Sequence, residues 1–238
     1  QPHLGIIVTR HNPGIKCYGA YVLNEETGEV DTFLSKLTVM ATGGCEAVYR
    51  QTTNPLVATG DGIAMVYRAK GAVKDMEFIQ FEPSAAVWPR LLSGKSIITT
   101  MFYEGAVLRG GDGERFTDER VSKDVLAKAI SREILRGNAT PHGGVWFDAT
   151  AVPQELWDGI YKPYRSRYLA HGIDMAKEPV EIAPAAHTTC GGVLIDENCS
   201  TGIPGLLACG DNGKGKMADI DVIEEAIEMA LYKDKPLA

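Results

Sequence analysis

The chain predicts an α/β fold in which a nucleotide-type lobe is interrupted by an inserted α+β cap. Three observations carry that expectation. A short apolar strand over 37–41 runs into Gly43-Gly44, and the loop after it ends in Gly60-Asp61-Gly62 at the head of a helical pattern. Near the other end, Leu206-Leu207-Ala208-Cys209 is an apolar strand between Gly205 and Gly210. Between these two glycine-ended strands the texture is different, with an alternating strand, proline-flanked loops and a long amphipathic helix. The boundaries that follow are a first lobe of residues 1–77, a cap of 78–184, and a return to the first lobe over 185–238.

Taken in order, residues 5–9 read as a strand, and 18–24 with 30–34 as a hairpin closed by a polar turn containing Gly28. Ile63, Met65, Val66 and Ala69 have helical spacing between Gly62 and Gly71. Residues 76–81 alternate as a strand, with Pro83 and Pro89 flanking the loop beyond. The helix over 121–135 gathers Val125, Leu126, Ala129, Ile130, Ile134 and Leu135 on one face. A strand at 145–147 and a helix over 155–168 follow. After Gly172 comes a proline-punctuated passage, then a strand at 193–196, and an acidic amphipathic helix over 220–232 closes the chain.

Bulk properties exclude several classes of function. A formal charge of −7 over 238 residues, with no Lys/Arg cluster, gives no electrostatic case for nucleic acid. The longest apolar runs are far short of a membrane span, and the opening residues lack a signal-peptide pattern. The five cysteines are odd in number and contain no CxxC pair, which fits free thiols in a reducing compartment, with the cytoplasm as the expectation, and no metal centre.

Gly43 and Gly44 let backbone N–H groups approach a phosphate or a ring edge, and Asp61 between its glycines suits either a ribose contact or a helix cap. Lys214 and Lys216 form a glycine-spaced turn where an anion could bind, although GxxxxGK[ST] is not met. Glu82 and Glu104 read as solvated or paired acids, Cys45 as packing, and Trp88, Trp146 and Trp157 as core or cap packing.

Several runs in one order carry a family resemblance. They are residues 13–23 (PGIKCYGAYVL), 41–44 (ATGG), 53–65 (TNPLVATGDGIAM), 75–81 (DMEFIQF), Gly105-Ala106-Val107-Leu108-Arg109 with Gly113-Glu114-Arg115-Phe116, and Pro184-Ala185-Ala186-His187 with Cys190-Gly191-Gly192-Val193. The chain resembles the flavoprotein family of succinate dehydrogenase and fumarate reductase, and above all its L-aspartate oxidase branch. The resemblance implies a partial FAD-binding, Rossmann-like domain interrupted by a capping domain, with FAD as cofactor. It also implies hydride transfer between a C4 dicarboxylate and the flavin. In the aspartate oxidase branch the product is iminoaspartate, a precursor of the nicotinamide ring in NAD biosynthesis.

Carried over by position, the resemblance makes Gly43, Gly44, Asp61 and Asp211 flavin contacts, His187 and Thr99 substrate ligands, and Lys123 the catalytic cation. The departures are as specific. No GxGxxG turn of the kind that holds the FAD pyrophosphate stands in the chain, so the sequence reads as an internal fragment, a shortened descendant or a design. A partner chain supplying the missing half is the matching expectation. Glu82 replaces the imidazole of the family's QFHP run and is expected to repel a dicarboxylate. Lys123 replaces the catalytic Arg and lacks its planar fork. Two functions remain open: an FAD-dependent oxidoreductase, or a catalytically silent scaffold of the same fold with weak or no flavin binding.

Overall fold

The computed structural model describes residues 15–210. The strand expected at 5–9, the helix at 220–232, Asp211, Lys214 and Lys216 lie outside the described residues. The rest falls into two compact units. One comprises 15–45, Ala58–Ile79 and 188–210; the other comprises Glu46–Val57 and Gln80–His187.

In the first unit, β1 (Gly19–Leu23) and β2 (Val30–Leu34) pair antiparallel with Leu23 opposite Val30. Asn24 closes the turn, its side-chain oxygen accepting from the Glu26 and Thr27 amides at 3.0 and 3.3 Å. β3 (Thr38–Met40) pairs parallel with β10 (Leu206–Ala208), so the two glycine-ended strands of the sequence do meet. Helix α1 (Asp61–Arg68) buries Ile63 and Val66 against Val193, Ile203, Leu206 and Ala208. A short antiparallel pair, β4 (Val73–Lys74) with β9 (Gly192–Val193), completes this cluster.

The second unit is built on a sheet whose strands lie in the order β5 (Ile79–Ala86), β8 (Val180–Thr189), β7 (Val145–Asp148), β6 (Val107–Arg109). Helix α2 (Lys123–Leu135) packs on it through Leu126 and Ile130. The expected inward face shifts, since Val125 and Leu135 are exposed while Ala127 and Glu133 are buried. The helix expected over 155–168 is two, α3 (Gln154–Asp158) and α4 (Lys162–Leu169). Gly159 ends the first, and Pro163 sits in the first turn of the second, where its missing N–H costs nothing.

Two strands outrun the sequence expectation, and proline is the reason for both. β5 begins at Ile79 and continues through Pro83 to Ala86, which an edge strand permits. β8 fills most of the passage expected to be irregular; its Pro184 stands beyond Val180–Ile182, the stretch paired with β7. Among the described residues no helix is long and apolar enough to cross a membrane.

Phe147, on the central strand β7, is wholly buried and lies 5.2 Å from the Phe102 ring. Phe147→Ala is expected to cost about 3–5 kcal/mol, read as a lower urea midpoint at unchanged slope. A second expectation concerns acid. Arg165 grips Asp174 with two bonds of 2.7 and 2.8 Å, and this holds the Asp174 carboxyl well below the usual carboxylate range. A lowered folded-state value means stability that is complete above the ordinary carboxyl range and is lost as pH falls through the folded value. Asp174→Asn should therefore narrow the gap between urea midpoints measured at neutral pH and at about pH 3.

Candidate functional site

The glycine turn of the first unit is assembled by close backbone approach. The Gly60 amide donates to the Gly44 carbonyl at 3.0 Å, tying the end of the long loop back to the strand exit. Gly60, in the left-handed region at φ 76, is the N-cap of α1, and Asp61 is the first helical residue rather than its cap. A Cβ on Gly62 would stand 1.9 Å from Thr42 Oγ1, so the loop lies directly against the first turn of the helix. Cys45 belongs to the same contact: its Cβ would be 2.8 Å from a Cβ at Gly60.

Gly43 is different. It too has a positive φ, 78, but the space where its Cβ would point is open. That leaves a bare stretch of backbone that a ring or sugar can approach closely. The exposed Asp61 carboxylate accepts from Thr59 Oγ1 at 3.0 Å. A carboxylate at a helix start competes with a phosphate for the same N–H groups, but it accepts readily from sugar hydroxyls. The residues present therefore fit the ribose and ring portion of a nucleotide cofactor better than its pyrophosphate.

A second cluster lies within the other unit. Segment 51–54 runs beside β8, with Thr53 N–H donating to Ala186 O at 2.9 Å and Ala186 N–H to Gln51 O at 3.0 Å. This sets Thr53 Oγ1 2.7 Å from His187 Nδ1, while Asn54 Nδ2 donates to the His187 carbonyl at 2.6 Å. With the Thr53 hydroxyl as donor, the ring proton is assigned to Nε2. His187 Nε2 is 4.0 Å from Glu82 Oε2, and Lys123 Nζ donates to that same oxygen at 2.7 Å. Ser84 Oγ stands 3.1 Å from Glu82 Oε1.

Burial sorts these groups. The Glu82 side chain is 4% exposed, whereas those of Lys123 and His187 are 40% and 35% exposed. One buried carboxylate thus organises two accessible N–H donors, each able to meet an acceptor such as a substrate carboxylate. Lys123 is fixed at the first position of α2, and β5 and β8 carry Glu82 and His187.

Of the residues singled out in the sequence, His187, Lys123 and Glu82 are brought together. Thr99 opens the 3₁₀ turn Thr99–Glu104 and is half-buried; Glu104 is exposed. The direct partners Thr53, Asn54 and Ser84 were missed as functional groups. Thr53 and Asn54 open the 53–65 run that carries the family resemblance and Ser84 follows Pro83, but neither place in the sequence signals a contact with His187 or Glu82. Trp88 is half out of the core, stacked at 3.9 Å on His142, whose Nδ1 meets the buried Glu181 at 2.5 Å. Among the described residues no group of three or more His, Cys, Asp and Glu could hold a metal ion.

Comparison with known proteins agrees with the glycine turn. Residues 4–220 match the family described as FAD binding domain. Over 226 residues the chain is 39% identical to L-aspartate oxidase of Pseudomonas aeruginosa, covering 89% of this chain and 41% of that protein. Among solved structures, it superposes on Mycobacterium smegmatis Sdh1 in complex with UQ1 with a TM-score of 0.72 and 32% identity, covering 85% of this chain and 35% of that one. An E. coli quinol fumarate reductase FrdA variant gives a TM-score of 0.72 at 26% identity, over 88% of this chain and 42% of that one. The chain spans about two-fifths of the length of the curated relatives it matches.

The Thr53 contact is open to test. Thr53→Val removes the hydroxyl while keeping the shape, and is expected to cost about 0.5–1.5 kcal/mol. It should also release the His187 ring, seen as a changed imidazole resonance in a histidine-labelled sample.

Proposed function

The chain belongs to the FAD-binding domain family, and from that premise we propose an FAD-dependent oxidoreductase of the L-aspartate oxidase/fumarate reductase type. In this reading it oxidises L-aspartate to iminoaspartate or acts on another C4 dicarboxylate. The observation that carries the reading is the pair of half-exposed nitrogens, Lys123 Nζ and His187 Nε2, at 2.7 and 4.0 Å from one buried carboxylate oxygen. Similarity to the L-aspartate oxidases supports it along most of the chain.

Each residue then has a task. FAD, when bound, supplies the acceptor for the hydride. Gly43, with the buried Gly44 next to it, gives it backbone with no side chain in the way, and Asp61, with Asp211, accepts from its hydroxyls or ring N–H groups. His187 donates from Nε2 to a substrate carboxylate, with Thr53 holding the ring in the needed tautomer. Thr99 supplies a further hydroxyl to the substrate. Lys123 Nζ donates to Glu82 Oε2 at 2.7 Å, and this couple is the proton carrier for the substrate amine or carbon. In the whole protein, a GxGxxG turn on polypeptide outside these 238 residues, in the same chain or a partner, holds the pyrophosphate.

One observation favours the silent scaffold instead: Lys123 is already neutralised by Glu82. The absorption spectrum of the purified protein separates the two readings. Flavin bands that survive desalting after incubation with FAD are expected; a colourless protein that leaves FAD fluorescence unquenched overturns the enzyme reading for these 238 residues. In the flavin-loaded protein, Lys123→Ala should lower turnover by about 10²–10⁴-fold while the flavin spectrum stays unchanged.

A further inference from the structure

Ser84 stands two residues beyond Glu82 on β5, so the two side chains share one face of the strand. It is wholly buried, and it belongs to the same unit as Lys123 and His187. Its hydroxyl oxygen is 2.7 Å from the Ile97 carbonyl oxygen and 3.1 Å from Glu82 Oε1. A serine hydroxyl has one hydrogen to donate, so both acceptors draw on the same proton in a three-centre bond.

The main chain ties Ser84 to the same neighbour. Ile97 N–H donates to the Ser84 carbonyl at 2.9 Å, beside the bridge that joins Ala85 to Ser96. Ile97 is wholly buried, so Ser84 Oγ is fixed against a rigid wall and cannot follow a carboxylate that turns. Among the described residues Ser84 is the one hydrogen-bond partner of Glu82 Oε1. Oε2 is held by the half-exposed Lys123 at 2.7 Å, while His187 Nε2, at 4.0 Å, is beyond hydrogen-bond distance. A carboxylate held through one oxygen by a long lysine swings about its last, soft torsion; held through both, its plane is set.

We infer that Ser84 is a positioning residue whose hydroxyl sets the plane of the Glu82 carboxylate and, through it, the place of the Lys123 ammonium. The same hydroxyl joins that pair to the segment that leads into the 3₁₀ turn, since Thr99 follows Ile97 by two residues. Two candidate substrate groups, one on α2 and one on that turn, are therefore referred to a single buried oxygen. Ser84 adds no charge, so the Glu82–Lys123 pair stays neutral as a whole. The catalytic consequence rests on the reading of Lys123 as part of the proton carrier; the placement does not.

The placement is tested without substrate, by brief acylation of the folded protein with acetic anhydride and comparison of Lys123 with Lys128. Both lysines lie on α2, and Lys123 pairs with Glu82 whereas Lys128 pairs with Asp124. Loosening of the whole helix moves both rates, while loss of the Glu82 hold moves one. Glu82→Gln should raise the Lys123/Lys128 labelling ratio about three- to tenfold, because an amine released from its carboxylate reacts more readily. Ser84→Ala should raise it about threefold, and Ser84→Thr, which keeps the hydroxyl, should leave it unchanged. If Ser84→Ala does not fold, Ser84→Cys keeps the shape with a weaker donor and should move the ratio in the same direction. In FAD-loaded protein that turns over L-aspartate, Ser84→Ala should lower kcat about tenfold and Ser84→Thr should not. A ratio that Ser84→Ala leaves unchanged, or that rises equally in Ser84→Thr, overturns the positioning role. An unchanged ratio in Glu82→Gln overturns the pairing, and the inference with it. Absence of turnover in the unaltered protein overturns the substrate reading alone, and the labelling ratio still decides the role of Ser84.

Discussion

Buried carboxylates must be matched by donors, and in the second unit that requirement fixes much of what surrounds the sheet. Glu119 accepts from the Leu108 amide at 2.8 Å and holds the Arg115 guanidinium, which ties the 109–119 loop to the edge strand β6. Glu181, on β8, accepts from Thr140 Oγ1, the His142 amide and the His142 ring, which closes the turn leading into β7. Glu82 does the same work for the start of α2 through Lys123. Removing one partner from any of these leaves a stranded charge, so each is a point where a small change in sequence has a large structural effect.

This explains why some features could be read from the sequence and others could not. Glycine signals are legible even where their cause is remote: Gly60 needs a positive φ at its own turn, whereas Gly62 lacks a Cβ because Thr42, at the strand exit, stands in its place, and both mark the strand–turn–helix join. The inward face of α2 depended on what lay opposite. Val125 and Leu135 look as apolar as Leu126 and Ile130, but they point away from the sheet. β8 is hidden in the sequence because Pro184 reads as a breaker, and only the pairing pattern shows that it stands past the last β7 partner. Thr53 could not be recognised as the residue that orients His187, since 134 positions separate them.

The two units also differ in how they prepare for a ligand. In the first, recognition is by backbone: the space over Gly43 is open because a side chain is absent, and the helix start is occupied by an acid. An anionic group gains little at a helix terminus whose first residue is already negative, so hydroxyls and ring edges are the better match there. In the second unit the candidate groups are side chains held on strands and at a helix start, which are rigid supports for them.

The departures at Glu82 and Lys123 look like separate losses when the sequence is read residue by residue: an imidazole gone in one place, a guanidinium in another. Their side chains meet at 2.7 Å, so in this chain they form one ion pair. An imidazole at position 82 would sit beside a cation as a neutral or a repelling group; a carboxylate attracts it. Lysine is the cation that suits such a partner, because it offers a point charge to a single oxygen and leaves its other protons for a ligand, whereas an arginine fork would engage both carboxylate oxygens. Ser84 Oγ stands 3.1 Å from Glu82 Oε1, and Lys123 takes Oε2. The Glu82 carboxylate is therefore what gives Lys123 a fixed place, and the pairing offsets the positive charge that Lys123 would otherwise present.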